Sequence, residues 1–192
     1  MKEKDKKSKI LDESFKLFRT KGTKNTSIEE ITNSAGVAKG TFYLYFKDKY
    51  DLQEQLIVKK SNELFREALE NCDKEDLKTF SDKLIFIIND ILDNLNNNKL
   101  LLKFISKNLS FGLYSNRIPD ILSNDELSVK DLFIEGLKKD NINIENPDVI
   151  LFLIIELVSS TCLSVITEKN PVSLDEYKPV LFKAIKKMIS EN

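Results

Sequence analysis

The chain has 192 residues, enough for one or two domains with a sizeable core and no need of stabilising cross-links. Its 30 Lys and Arg nearly balance 31 Asp and Glu, and it has no histidine, which removes the commonest general base and metal ligand. Two cysteines, Cys72 and Cys162, without a CxxC pair, argue against a zinc site or disulfide framework and suit packing residues.

The net charge of −1 conceals an asymmetry. Residues 1–49 carry eleven lysines and one arginine against seven acids, a surplus of five, which leaves the remainder at −6. A basic head on an acidic body suits a nucleic-acid contact confined to one end, or a lysine-rich terminus that is simply solvated. The opening MKEKDKKSKI has no apolar run of a secretory signal, so a cytoplasmic location is expected. With five glycines, four prolines and no convincing alternating strand pattern, the expected fold is all-α.

The first helix is expected over about Lys6–Lys21, with Ile10, Leu11, Phe15, Leu17 and Phe18 as a broad apolar face and Gly22 as its stop. Its role should be to brace the neighbouring helices rather than to read DNA. Lysines 2, 4, 6 and 7 make either an arm for backbone phosphates or a solvated tail. Next comes Thr26–Leu52, TSIEEITNSAGVAKGTFYLYFKDKYDL. Thr26-x-x-Glu29 and Ser27-x-x-Glu30 each fit a capping box, and Ile28, Ile31 and Ala35 fall on one stripe. Gly36 can end that helix in the left-handed region. Val37, Phe42 and Phe46 anchor a second short helix, leaving Lys39, Thr41, Tyr43 and Tyr45 outward. Two helices across a short glycine turn make a helix-turn-helix, whose second helix can enter a major groove.

The pattern T-x-I-x-x-I-x-x-x-A-G-V-x-x-G-T-F-Y-x-Y-F-x-x-K resembles the DNA-binding signature of TetR-family transcriptional regulators. More than ten positions agree at fixed spacing, across about Ile10–Leu52; beyond them the chain resembles the family in length and helical order. Two positions depart from the commonest pattern. Ala38 stands where Ser is frequent, removing a cap worth about 1 kcal/mol, and Thr32 stands where Ala is usual.

A long helix is expected from about Asp48 to Asn71, buried through Leu52, Leu56, Leu64, Phe65 and Ala68 and linking head to body. Lys49 lies in its first turn, where a helix N-terminus favours anions, so a bound phosphate would relieve the mismatch. A helix over Asp76–Leu95, apolar nearly all round, should be buried on several sides, and Asn94–Asn98 should break it. A helix over Lys99–Ser110 comes next, then an irregular stretch through Gly112, Arg117 and Pro119, then a helix over Asn124–Lys139. Val149–Ile166 holds one charge in eighteen residues, close to a membrane span. Glu156 near its middle and the neighbouring Ser159, Ser160 and Thr161 favour a covered core helix instead, so no membrane partner is expected. Pro179 fits the first position of a last helix bearing Val180, Leu181, Ala184, Ile185 and Met188, with Lys183, Lys186 and Lys187 opposite.

The resemblance implies residues 1–47 as DNA-binding domain and residues 48–192 as ligand-binding and dimerisation domain. It implies a homodimer on a palindromic double-stranded DNA operator, most simply as a ligand-responsive repressor. By position in the motif, Lys39 and Thr41 would meet base edges and Tyr43 a phosphate, flanked by Tyr45 and Lys49. Thr26 and Ser27 would hold another phosphate, Leu44 would touch a base methyl or nothing, and Gly40 would let the backbone approach. The last two helices would pair with their copies through Leu153, Leu157, Leu181, Ile185 and Met188, unless these form an intramolecular core. A small-molecule effector would sit in the body among Phe65, Phe86, Phe104, Phe111, Tyr114 and Phe133, and that apolar lining implies a largely hydrophobic one. No cofactor, metal site or catalytic residue is expected: the chain lacks a nucleophile–base pair, a metal-ligand spacing and a phosphate-cradling glycine loop. A helical interaction module without sequence-specific DNA binding is the competing assignment.

Overall fold

The computed structural model describes residues 3–114 and 128–190, and every regular element among them is helical. Helix α1 (Glu3–Lys21) begins three residues before its expected start at Lys6 and stops where the Gly22 amide donates to Phe18 O at 2.9 Å. Helix α2 (Ile28–Ala35) opens on Ser27, whose Oγ accepts from the Glu30 amide at 3.1 Å while Glu30 accepts from the Ser27 amide at 2.9 Å. Thr26 forms no such box: its hydroxyl donates to Gly22 O at 3.0 Å and so tightens the preceding turn. Gly36 closes α2 at φ +63°, a conformation that a Cβ would strain.

Helix α3 (Lys39–Tyr43) is one and a half turns and has no side-chain cap at Ala38. Asp48 caps α4 (Lys49–Cys72), accepting from the Tyr50 and Asp51 amides at 2.8 and 2.9 Å. Helix α5 (Phe80–Asn97) begins four residues later than its apolar pattern indicates, because Thr79 and the Asp140 carboxylate take the first amides. Asn98 then caps α6 (Lys99–Ile105), and a 3₁₀ turn, Ser106–Asn108, leads into α7 (Leu109–Tyr114). Gly112 is therefore helical rather than irregular. A Cβ there would meet Ser61 Oγ at 2.2 Å, so glycine lets α7 lie directly on α4. Arg117, Pro119 and Asn124 fall outside the described residues. Helix α8 (Val129–Lys139) opens on a Ser128–Asp131 capping box, and α9 (Pro147–Glu168) carries Pro147 at its start. Helix α10 (Leu174–Met188) starts at a Ser173–Glu176 box. Pro179 thus lies inside it rather than first, at an exposed position where water can replace the amide the ring cannot offer.

Two apolar clusters fill the interior. The first joins Ile10, Leu11 and Phe18 of α1, Ile31 and Ala35 of α2, Phe42, Phe46, and Leu52 and Leu56 of α4. The second, larger one joins α4 from Leu64 onward with α5, α6, α8, α9 and α10. Helix α4 contributes to both, and Phe15 and Phe104 pack against both. Helix α9 is long and apolar enough to cross a bilayer, yet Leu151, Ile154, Ile155, Val158, Cys162, Val165 and Ile166 are buried against its neighbours. These buried positions form one face of the helix and mark it as part of the core, with the opposite face left open.

Candidate nucleic-acid interface

The α2–α3 corner is built from the inside out. Phe42 and Phe46 are 0% and 1% exposed with ring centroids 5.4 Å apart, and they root α3 in the first cluster. What α3 cannot bury it presents: Lys39, Gly40, Tyr43 and Leu44 are exposed, Tyr43 by half and Leu44 by three quarters. Thr41 and Tyr45 are half-buried, Tyr45 lying edge-on to Phe46 at 6.3 Å. No atom lies within 4 Å of where a Gly40 Cβ would be, so the fold leaves that outer face open. Ammonium, hydroxyl, phenol and aliphatic groups thus share one short helix. That set can donate to base edges and phosphates and pack on a thymine methyl.

The flanks differ from the sequence expectation in two respects. Thr26 is 1% exposed, so its side chain is unavailable to a phosphate, and Ser27 is the exposed residue at that corner. Lys49 Nζ donates to the carbonyls of Lys24 at 2.9 Å and Thr26 at 3.0 Å. The cation at the α4 N-terminus is thereby held by the α1–α2 loop, and no bound phosphate is needed to relieve it. Glu30, beside Ser27, is drawn down to about 2 by the Lys21 ammonium at 2.6 Å and the Ser27 amide, so it stays a paired carboxylate. Tyr50, half exposed on the first turn of α4 with the Lys49 ammonium 5.6 Å from its ring centroid, was not singled out from the sequence. Its proximity to the Y-F-x-x-K exit was the available signal.

In the body, a cavity of about 290 Å³ opens between α4, α5 and α8, and it shares Phe65, Leu84, Ile87, Val129 and Leu151 with a deeper one of about 60 Å³. Of the six aromatic residues named from sequence, Phe65 and Phe133 line the larger cavity. Phe86 and Phe111 are half-buried outside both linings, and Phe104 instead stacks edge-on against Phe15 at 5.3 Å. The Tyr114 side chain lies outside the described residues. Phe80, Leu132 and Cys72, which sequence alone did not single out, complete much of the wall. Burial pushes the Cys72 thiol up, away from the thiolate.

On the outer face of α9, Val149, Phe152 and Leu153 remain 45–53% exposed, and Val180 of α10 is 69% exposed. Leu181 and Ile185, expected between subunits, are 3% and 0% exposed within a single chain, while Leu157 and Met188 are half-buried against the same core. The intramolecular alternative therefore describes Leu181 and Ile185, and Leu153 is the expected interface residue that stays open. Among the described residues no cluster of His, Cys, Asp and Glu could hold a metal.

Residues 10–56 match the family model described as bacterial regulatory proteins, tetR family. The uncharacterized HTH-type transcriptional regulator YerO of Bacillus subtilis is 47% identical over 45 residues, which are 23% of this chain and 16% of YerO. The chain thus spans about a sixth of that relative's length. The uncharacterized HTH-type transcriptional regulator YhgD of the same organism is 25% identical over 157 residues, 80% of each chain. Among solved structures, the transcriptional regulator FadR of Bacillus subtilis, in complex with stearoyl-CoA, superposes with a TM-score of 0.62 at 19% identity, covering 95% of this chain and 97% of that one.

Proposed function

Because the chain belongs to the TetR family of bacterial transcriptional regulators, we propose that it is a ligand-responsive repressor that binds a palindromic operator as a homodimer. The observation that carries this is the α3 surface: Lys39, Gly40, Thr41, Tyr43 and Leu44 stand on a helix fixed by two buried phenylalanines. A rigid root with an open polar tip is what readout of base edges requires. Lys39 and Thr41 meet bases; Tyr43, Ser27 and the flanking Tyr45 meet the backbone, and Lys49, tied to the Lys24 and Thr26 carbonyls, holds the loop between them in place. The surplus of lysine over residues 1–49 supplies the non-specific attraction.

Dimerisation is supported by the exposed α9 stripe of Val149, Phe152 and Leu153, at helical spacing, and by Val180 on the adjoining α10. A second copy would cover them and set two α3 helices one operator half-site apart. The body cavity is the effector site, and the complex of FadR with stearoyl-CoA, whose acyl chain is apolar, supports a ligand with a hydrophobic part there. Residues 1–47, with the first turns of α4, act as the reading head and the remainder as sensor, in the cytoplasm. The test is a titration against DNA upstream of the protein's own gene and a scrambled duplex, at two salt concentrations. A preference of about 10³ or more that weakens steeply with salt is expected. Equal binding to the native fragment, the scrambled duplex and every duplex recovered from a randomised pool would defeat the proposal.

A further inference from the structure

The two body compartments differ in character along one path. The deep one is walled by Ile88, Ile91, Leu113, Ile154, Ile155 and Val158 beside the residues it shares, with no polar side chain among them. The outer one ends in a charged rim. There Lys78 pairs with Asp76, and the Asp140 carboxylate accepts from the Phe80 amide, so neither is available. Asp73, Glu135 and Lys139 point to solvent.

Lys83 is the exception. It is half-buried on α5 in the cavity wall, next to the Cys72 turn, and its ammonium has no hydrogen bond or ion pair within the described residues. A cavity-lining ammonium without a hydrogen bond or ion pair among the described residues is a ready partner for an anion entering the cavity, by a charge-assisted hydrogen bond. The neutral Cys72 thiol beside it adds no competing negative charge.

Resting on the effector role proposed above, we infer that the ligand is an amphiphile whose anionic head lies on Lys83 and whose single apolar chain runs inward past Phe65 and Ile87. At roughly 30 Å³ for each water-sized group, the two compartments hold about a dozen heavy atoms, so the chain has about eight to ten carbons. Gly136 lets the Phe80 ring lie against α8 in the cavity wall: a Cβ there would be 2.1 Å from that ring.

Calorimetric titration of the full chain, without DNA, with decanoate, 1-decanol and decanoyl-coenzyme A tests this. Decanoate or the thioester binds at least tenfold tighter than 1-decanol. Lys83→Met removes that preference and leaves 1-decanol binding within twofold. Ile87→Trp, which puts an indole where the two compartments meet, weakens binding of all three at least tenfold while the melting temperature is retained. Binding by decanoate alone assigns a free acid, and by the thioester an acyl carrier; either supports the inference when it depends on Lys83. Equal affinity for 1-decanol, a preference that survives Lys83→Met, binding undiminished by Ile87→Trp, or no binding to any of the three overturns it. A Lys39→Ala, Tyr43→Phe variant that loses DNA but keeps decanoate separates failure of the regulator assignment from failure of the ligand assignment.

Discussion

Lys49→Met is the substitution that best separates two roles for one residue. In the structure its ammonium joins the α4 N-terminus to the Lys24 and Thr26 carbonyls, across 25 and 23 residues of chain. A hydrogen bond to a charged group is worth about 1.5–3 kcal/mol when shielded. The Lys24 end is exposed and the side chain only half-buried, so the lower end applies there. Thr26 is buried, and its carbonyl would be left without this donor. The expected loss is therefore about 2 kcal/mol in total, or roughly 4–8 °C in melting temperature for a chain of this size.

Operator affinity should fall with it, because the loop that sets the entry to α2 loosens. The salt dependence of the remaining binding should hold its slope. A lysine whose work is on a phosphate behaves oppositely: stability is untouched, and the slope of log K against log salt drops by about 0.9 for each contact removed. Thermal melts beside operator titrations at three salt concentrations read both quantities. An unchanged melting temperature with a shallower slope would refute the structural role.

Phe42→Ala should cost about 3–5 kcal/mol and abolish operator binding, since it empties the root of α3; urea unfolding and an operator titration read the two effects. Phe152→Lys with Val180→Glu should convert a dimer to monomer at micromolar concentration, seen by light scattering, with melting of the single chain little changed; a persisting dimer would place the interface elsewhere. Glu30 is depressed from 4.5 to about 2 by Lys21 and the Ser27 amide, so its contribution is present above pH 4.5 and is lost as pH falls through about 2. Glu30→Gln should flatten the fall in melting temperature across that window, and an unaltered pH profile would discount the pairing.

Local signals were legible where a local cause decides the outcome. The Ser27 capping box, the Gly36 stop, the Asp48 start and the buried Phe42 and Phe46 depend on neighbours within a few residues, and sequence spacing displays these. Thr26 fitted the same box pattern, but its hydroxyl is taken by Gly22, which no spacing rule forbids. Pro179 fitted a first helical position, yet the Ser173–Glu176 box six residues earlier starts the helix and the proline rides inside it. Lys49 found partners more than twenty residues away, and Lys83 found none among the described residues; both are facts of tertiary placement. In α10 the apolar period identified a helix but not which stripe faces its own core. Leu181 and Ile185 turn inward, and Val180, one residue away, turns out. The phenylalanines carry the same ambiguity, because hydrophobicity marks a residue as buried and says nothing about which buried residue borders a void.

The placement of those residues bears on how a bound effector would be felt at the DNA. The cavity touches α4 at Phe65, Leu69 and Cys72, whereas the same helix enters the reading head at Leu52 and Leu56. Thirteen residues of helix between Phe65 and Leu52 make a lever of about 20 Å, so a tilt of about 5° at the cavity shifts the far end by nearly 2 Å. Base-edge hydrogen bonds tolerate a spread of only about half an ångström, so motion of that size in two subunits suffices to misalign both α3 helices. Phe15 and Phe104, stacked at 5.3 Å between the clusters, oppose any slip of α1 against α6. Phe104→Leu keeps the apolar contact but loses the edge-on ring. If this contact transmits the tilt, the variant binds both operator and decanoate with near-native affinity, yet decanoate no longer releases the operator. Undiminished release in that variant would leave α4 alone as the transmitting element.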